Sequence, residues 1–514
     1  MNLKIKKVSD MTVEELIGQV IMVGLPTTYL DEEYKEFIKQ YKIGNFILFS
    51  RNYDDTKQMK SFMNELYNYT LDVTGSFPLV SIDQEGGMVV RLFKDVTFPA
   101  SPLTTSATSV VDAPYHTGKI IGSDMLKMGI NLNLAPCLEI NEELSNPLVN
   151  VRGYGANREI VLTNARKFVK GIQDSGALSC LKHFPGAGSS TKDSHLELPI
   201  IDEPKEQLLN YNMYPFVNLL ESDALMSSHC IYKSFDEWPS TLSKVLLTDV
   251  LIKQIGFKGL IITDGMEMNA IKDYYGIGKG CVMALNAGCD ILLLCHEYNE
   301  QKEAFEAVKK AIENNELSID LLRERVKRIN KAKEKILQAL SDNFNNDEYI
   351  INKQEHELMQ KIVDNSYTLI KGTKPYINKD TLIICAKVRV ASIVEDEFDV
   401  RDLTKVLKVN FPNNTIIKFC EENKQFIENN INNYSNILVY SYDAYADDTQ
   451  KEIINKLLTL NKEVHVISIK GPIDQKYFNN LVNYSCLYEY TPNSIRTIVK
   501  QLKEDLPLNG KLPM

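Results

Sequence analysis

Four short segments of this 514-residue chain place polar groups where an apolar run has just ended. They are Ser81-Ile82-Asp83-Gln84-Glu85-Gly86-Gly87, the run from Lys182-His183 to Asp193-Ser194-His195, Ser228-His229, and Thr263-Asp264-Gly265. Carboxylates, an ammonium and imidazoles are costly to bury, so their recurrence at such places needs a common cause. Asp193 and His195 stand two apart on a segment that Pro185, Gly186 and Gly188 bend away from regular structure. An isolated Asp-x-His is more often a surface feature than a working pair. On a long loop at a strand end, Asp193 can hold one imidazole nitrogen and aim the other outward, as a triad aspartate does. An imidazole titrates near neutrality, so it donates a proton in one step and accepts one in the next.

Asp264 follows the apolar run Gly259-Leu260-Ile261-Ile262-Thr263. A carboxylate there is a nucleophile, a ligand or the cap of a following helix. A carboxylate together with an oriented acid/base is the minimum set for double displacement at the anomeric carbon of a sugar. The general template has two carboxylates about 5–5.5 Å apart; here an Asp-His pair would replace one of them.

Positioning such groups together requires a scaffold that brings distant strand ends to one rim. Apolar runs at Val20–Gly24, Asn45–Phe49, Leu79–Asp83, Asn131–Ala135, Ser179–His183, Ala224–His229, Leu260–Asp264 and Ile291–Cys295 read as eight strands. Helical patterns lie between them; Met59, Phe62, Met63 and Leu66 follow the spacing of one buried helix face. Eight strands alternating with helices predict a closed (β/α)8 barrel of the TIM type, whose active site lies at the carboxyl ends of the strands. The helical run Ile319–Leu340 closes residues 1–340. A polar stretch, Ser341–Glu348, then reads as a linker, and a helix over about Gln354–Leu369 completes a connection at 341–373. Residues 374–514 are expected to form a smaller open α/β sandwich domain, with strands Thr381–Ala386, Thr415–Phe419, Asn436–Tyr440 and Val464–Ile469 and a helix at Thr449–Leu460.

The composition sets the environment. A net charge of −10 (58 Lys+Arg against 68 Asp+Glu) without a basic block excludes nucleic acid as the expected partner. No apolar run approaches the ~18 residues of a spanning helix, and the N-terminus has no apolar h-region, so no membrane contact is expected. Nine cysteines without a C-x-x-C pair read as reduced core thiols, and the expected location is cytoplasmic.

The segment Lys182–His195 resembles the K-H-F-P-G-x-G-x(4)-D-S-H motif of the β-N-acetylglucosaminidase branch of glycoside hydrolase family 3. Asp83-Gln84-Glu85-Gly86-Gly87 with Arg91 is similar to its D-Q-E-G-G-x-V-x-R motif, and Asn146-Pro147 with Val151-Arg152-Gly153-Tyr154-Gly155 to its N-P…V-R-S-F-G segment. Ile262–Met268 resembles its I-T-D-x-L-x-M motif, and Gly510-Lys511-Leu512-Pro513 the terminus of two-domain members. The resemblance implies a retaining exo-acting enzyme that removes terminal β-linked N-acetylglucosamine. Asp264 would be the nucleophile and His195, supported by Asp193, the acid/base. Asp83 would accept hydrogen bonds from sugar hydroxyls, and Arg91, Arg152, Lys182 and His183 would donate to hydroxyls and the acetamido group. Neither cofactor nor metal is called for. The expected partner is a saccharide of the muropeptide or chitooligosaccharide type; the oligomeric state is not readable. The chain departs from the pattern at Met88, Gly153, Ala187 and Gly265.

Other readings use the same residues. A metal-dependent hydrolase would take His183, Asp193, His195 and His229 as ligands but leaves the D-Q-E-G-G element unexplained. A family-3 β-glucosidase typically lacks the Asp-x-His loop. A phosphorylase is compatible with a neutral imidazole acid/base, which does not repel phosphate. A non-catalytic sugar-binding protein would have no use for Asp264, Asp193 and His195 together.

Overall fold

The structure is a computed structural model that describes residues 3–144, 146, 148–188, 197–344, 349–388, 402–460 and 462–514. Eight parallel strands close into a barrel: β1 (Ile21–Gly24), β2 (Asn45–Leu48), β3 (Leu79–Ile82), β4 (Leu132–Asn133), β5 (Leu178–Phe184), β6 (Ala224–Ser227), β7 (Leu260–Gly265) and β8 (Ile291–Leu294). Each is the run expected from sequence, shifted by at most a few residues at its ends. Continuous apolar runs suit these strands because the barrel interior covers one face and the helical ring the other. At the bottom of the barrel, polar side chains tie neighbouring strands together. Asn45 accepts from the Leu79 amide at 3.2 Å, Asn131 from Val80 at 2.9 Å, Asp223 from Ser179 at 3.0 Å and Asp290 from Ile261 at 2.9 Å. These bonds set the stagger of the strands and hence the height at which each rim residue emerges.

The helices form where capping and periodicity agree. Helix α1 (Thr56–Thr74) starts at Asp55, whose carboxylate accepts from the Gln58 amide, and buries Met59, Phe62, Met63 and Leu66 on the barrel. It ends at Gly75, in the left-handed region at φ 74°. The barrel's last helix, α2 (Ile319–Phe344), runs past the expected end at Leu340 because Phe344 continues its apolar stripe. That ring packs 5.4 Å from the ring of Tyr67. The first four residues of the expected linker are therefore helical; 345–348 lie outside the described residues.

Helix α3 (Lys353–Asp364) stops short of the expected Leu369, and Thr368–Lys371 forms a strand, β9. The second sheet contains β9, β10 (Thr381–Cys385), β11 (Thr415–Lys418), β12 (Asn436–Ser441), β13 (Glu463–Ser468) and β14 (Asn483–Cys486) in the order β9-β14-β13-β12-β10-β11. All neighbours are parallel except β9–β14. The core of this sheet also takes in five residues of the first 151: Met88, Leu103, Ala107, Leu144 and Val151. The two sheets are thus joined by apolar packing through the loops that follow β3 and β4.

Candidate functional site

The rim at the carboxyl ends of β3, β4, β5 and β7 gathers the charged residues into two connected groups. In the first, positive and negative charges alternate. The Lys182 ammonium donates to Asp83 Oδ1 at 2.7 Å and lies 2.7 Å from Glu85 Oε1. Arg152 grips Glu85 with two parallel bonds, Nε to Oε2 at 3.0 Å and Nη2 to Oε1 at 2.8 Å. Arg91 Nη2 stands 3.7 Å from Asp83 Oδ2. Burial works against charge on Glu85, yet Arg152 and Lys182 outweigh it and hold the carboxyl well below its usual range. Burial likewise disfavours charge on Lys182, and Asp83 and Glu85 reverse it. Glu85 and Lys182 therefore stay ionised.

Exposure divides this network by task. Lys182 and Glu85 are sealed, at 2% and 1% side-chain exposure, whereas Asp83 and Arg152 keep 13% and 12%. The reachable pair faces the barrel mouth and the sealed pair sets its geometry. A polar ligand meets a fixed acceptor and a fixed donor that need no reorganisation to bind it.

The second group centres on His183. Its backbone amide and its Nδ1 both bond to Glu139 Oε1, at 2.8 and 2.9 Å, while the Cys137 thiol donates to Glu139 Oε2 at 2.7 Å. Burial raises the Glu139 pKa, but His183 more than compensates and keeps it low. With Nδ1 held, His183 Nε2 is directed at Asp264, 3.9 Å from Oδ2. The Asp264 side chain accepts from the Gly265 amide through Oδ1 and retains 22% exposure. It is not the cap of the next helix, which begins at Asn269 after Met268.

His229 is buried and bonded at both ring nitrogens, 2.8 Å from Thr241 Oγ1 and 2.9 Å from the Gly265 carbonyl. A carbonyl only accepts, so Nε2 carries hydrogen and donates to it. His229 thereby fastens the end of β6 to the strand that carries Asp264. On the opposite arc, Phe49, Arg51 and His296 lie together: Arg51 stacks 4.4 Å over Phe49, and the rings of Phe49 and His296 are 5.1 Å apart. Among the described residues no group of three or more His, Cys, Asp or Glu side chains could hold a metal ion.

The structure therefore brings Asp83, Arg91, Arg152, Lys182, His183 and Asp264 to one mouth. Asp193 and His195 lie outside the described residues. Their loop leaves β5 with Gly188 against Ile140, and the Gly188 carbonyl accepts from Asn146 Nδ2 at 2.7 Å. Sequence reasoning missed two members. Glu85 stood within a quoted motif but received no role. Glu139 follows a strand that the apolar pattern ends at Ala135; the carboxylate four residues on was the available signal. Two departures from the motif pattern have visible consequences. Met88 is buried in the core of the second sheet, its sulfur accepting from the Tyr490 amide at 3.4 Å. At Gly265 a side-chain carbon would meet the Glu267 carboxylate at 3.4 Å, an ordinary contact that brings a second side chain against that carboxyl group.

A parallel barrel with paired charges and a reachable carboxylate at its carboxyl rim is the architecture of many sugar-cleaving enzymes. The chain matches the Glycosyl hydrolase family 3 N terminal domain over residues 12–332, and it belongs to that family. It is 30% identical over 338 residues to a beta-hexosaminidase A of Pseudoalteromonas piscicida, covering 61% of this chain and spanning 56% of that protein's length. It is 31% identical over 285 residues to a beta-hexosaminidase of Haemophilus influenzae, covering 54% of this chain and 79% of that protein. Among solved structures, a glycoside hydrolase family 3 beta-N-acetylglucosaminidase from Paenibacillus superposes with a TM-score of 0.90 at 28% identity, over 98% of both chains. A beta-glucoside phosphorylase shares the fold, with a TM-score of 0.82 at 20% identity.

Proposed function

We propose that the protein is a retaining exo-β-N-acetylglucosaminidase. The observation that carries this reading is Asp264, a partly exposed carboxylate aligned by Gly265 and faced by His183 beside the Asp83–Lys182–Glu85–Arg152 network. The likeness to relatives named beta-hexosaminidase and beta-N-acetylglucosaminidase supports the choice of sugar.

In the first step Asp264 Oδ2, the oxygen that the Gly265 amide does not hold, bonds to the anomeric carbon. The glycosidic bond breaks, and His195 gives its proton to the departing oxygen. In the second step His195 takes a proton from water as that water attacks the same carbon, and the Asp264 carboxylate leaves. Two inversions restore the β configuration. Asp83 accepts from a sugar hydroxyl and Arg152 and His183 donate to the sugar, while the buried Lys182 and Arg91 hold Asp83 from behind. The natural substrate in this reading is a muropeptide or chitooligosaccharide with a terminal β-linked N-acetylglucosamine. Nine free cysteines suit a cytoplasmic location, and no helix among the described residues is long and apolar enough to cross a membrane.

The test compares p-nitrophenyl β-N-acetylglucosaminide with the β-glucoside, each with and without phosphate. Hydrolysis of the first sugar with slow turnover of the second is expected. Equal rates on both, or no activity, would overturn the sugar assignment, and sugar 1-phosphate as the main product would make the enzyme a phosphorylase. Replacing Asp264 with alanine should lower kcat on the order of 10⁴-fold.

A further inference from the structure

The loop that carries Arg152 is fastened to the second sheet from both sides. On one side Asn150 Nδ2 donates to Asp443 Oδ1 at 3.3 Å, and Lys470 Nζ donates to Asp443 Oδ2 at 2.7 Å. Asp443 and Lys470 follow β12 and β13, and both are buried, at 7% and 1% exposure. They stand at the carboxyl ends of those strands, beside the point where the strand order reverses. In open α/β sheets ligands sit outside the carboxyl ends of the strands; here Asn150 sits against the ends of β12 and β13. A side-chain carbon on Gly471 would fall 2.3 Å from Asn150 Oδ1, so a larger residue there would displace the Asn150 amide. Val151 lies in the apolar core of the second sheet, one residue before Arg152.

On the other side the chain's last residues return to the same loop. The Gly510 amide donates to the Tyr367 carbonyl at 3.0 Å, Lys511 to Ala107 at 2.8 Å, and Ala156 donates to the Pro513 carbonyl at 3.0 Å. The segment from Asn150 to Ala156 is thus held at both ends by the second sheet and the terminal strap, with Arg152 between. The Arg152 guanidinium needs this, because its two bonds to Glu85 require a fixed approach direction.

We propose that the second domain serves the reaction through Arg152, with Asp443 and Lys470 as positioning residues that hold its loop in register with Glu85. The inference rests on Arg152 binding the sugar, as proposed above. The test uses the full chain and p-nitrophenyl β-N-acetylglucosaminide. Asp443→Asn is expected to raise KM roughly tenfold with kcat changed less than about threefold, because a displaced donor weakens ground state and transition state alike. Arg152→Lys should also raise KM. The double variant should equal Arg152→Lys alone within about twofold, since Asp443 has nothing left to position. Asn150→Gly, which keeps the positive φ of 38° and removes the bond to Asp443 together with the side chain packed on Gly471, repeats the test should Asp443→Asn fail to fold. Multiplying effects in the double variant, or an unchanged KM in Asn150→Gly, would overturn the proposal. So would an equal KM rise in Asp474→Asn, a buried neighbour bonded to Ser441 rather than to the loop. A wild-type chain that leaves the substrate intact would instead fail the functional reading.

Discussion

His183 shows how one side chain depends on its neighbours. Glu139 spends one oxygen on both the amide and Nδ1 of the residue, which leaves Nε2 aimed at Asp264. A glutamine at this position keeps the shape but loses the charge that orders the ring. Glu139→Gln is expected to lower kcat/KM by roughly ten- to a hundredfold, the worth of one charge-assisted bond. Steady-state kinetics would read this, with unfolding curves to separate it from a stability loss. His195 belongs to the same scale. If it protonates the leaving oxygen, His195→Ala should slow unactivated oligosaccharides far more than p-nitrophenyl glycosides, whose leaving group departs without a proton. Equal losses on both substrates would remove His195 from the acid role. Lys182 illustrates a different use of charge: sealed between two carboxylates, it spaces Asp83 from Glu85.

At the scale of elements, the barrel strands were legible because a strand covered on both faces must be apolar throughout. The elements that escaped notice break that rule for identifiable reasons. β14 is the polar run Asn483-Tyr484-Ser485-Cys486, whose side chains find partners elsewhere. Asn483 Oδ1 accepts from the Thr373 amide at 3.0 Å, and the Ser485 hydroxyl donates to the Tyr367 hydroxyl at 3.2 Å. Such satisfaction leaves no trace in a hydropathy pattern. The extension of α2 to Phe344 carried a signal, since an aromatic ring four residues after Leu340 continues the buried stripe through a polar stretch. Phe344→Ala should cost about 3 kcal/mol of stability through the cavity left against Tyr67 and Gly129. Chemical denaturation would measure it, and a change within about 0.5 kcal/mol would mean that the helix end carries no load.

For the whole molecule, stability is coupled to pH through the bottom of the barrel. Lys333 is fully buried there, its Nζ donating to Gln19 Oε1 at 2.8 Å, and burial pushes its pKa from 10.5 down to about 7. Between those values the unfolded chain holds a proton that the folded chain has released. The group's contribution to stability therefore rises with pH across that window, by up to about 1.4 kcal/mol per pH unit, and levels off below it. Lys333→Met removes this titration. Unfolding free energies measured at pH 7 and pH 9 should differ less in the variant than in the wild type; an equal difference would show that Lys333 stays charged in the fold.

By itself the amino-acid order determined the barrel, the presence of a second α/β unit and four of the rim residues, because those features follow from local runs and from what ends them; Arg91 and Arg152 were reached only through the family resemblance. Asp264 after Thr263 and Lys182-His183 within one strand needed only the strand pattern to be placed at a rim. What the tertiary structure alone decided is which charges pair. Glu85 takes Arg152 from 67 residues away and Glu139 takes His183 from 44, and no spacing along the chain encodes either choice. Nor could sequence reveal that Asn150 meets Asp443 across 293 residues. Such pairings arise from the stagger of the barrel and the docking of two sheets, and a sequence pattern registers periodicity but not the distance between chain segments.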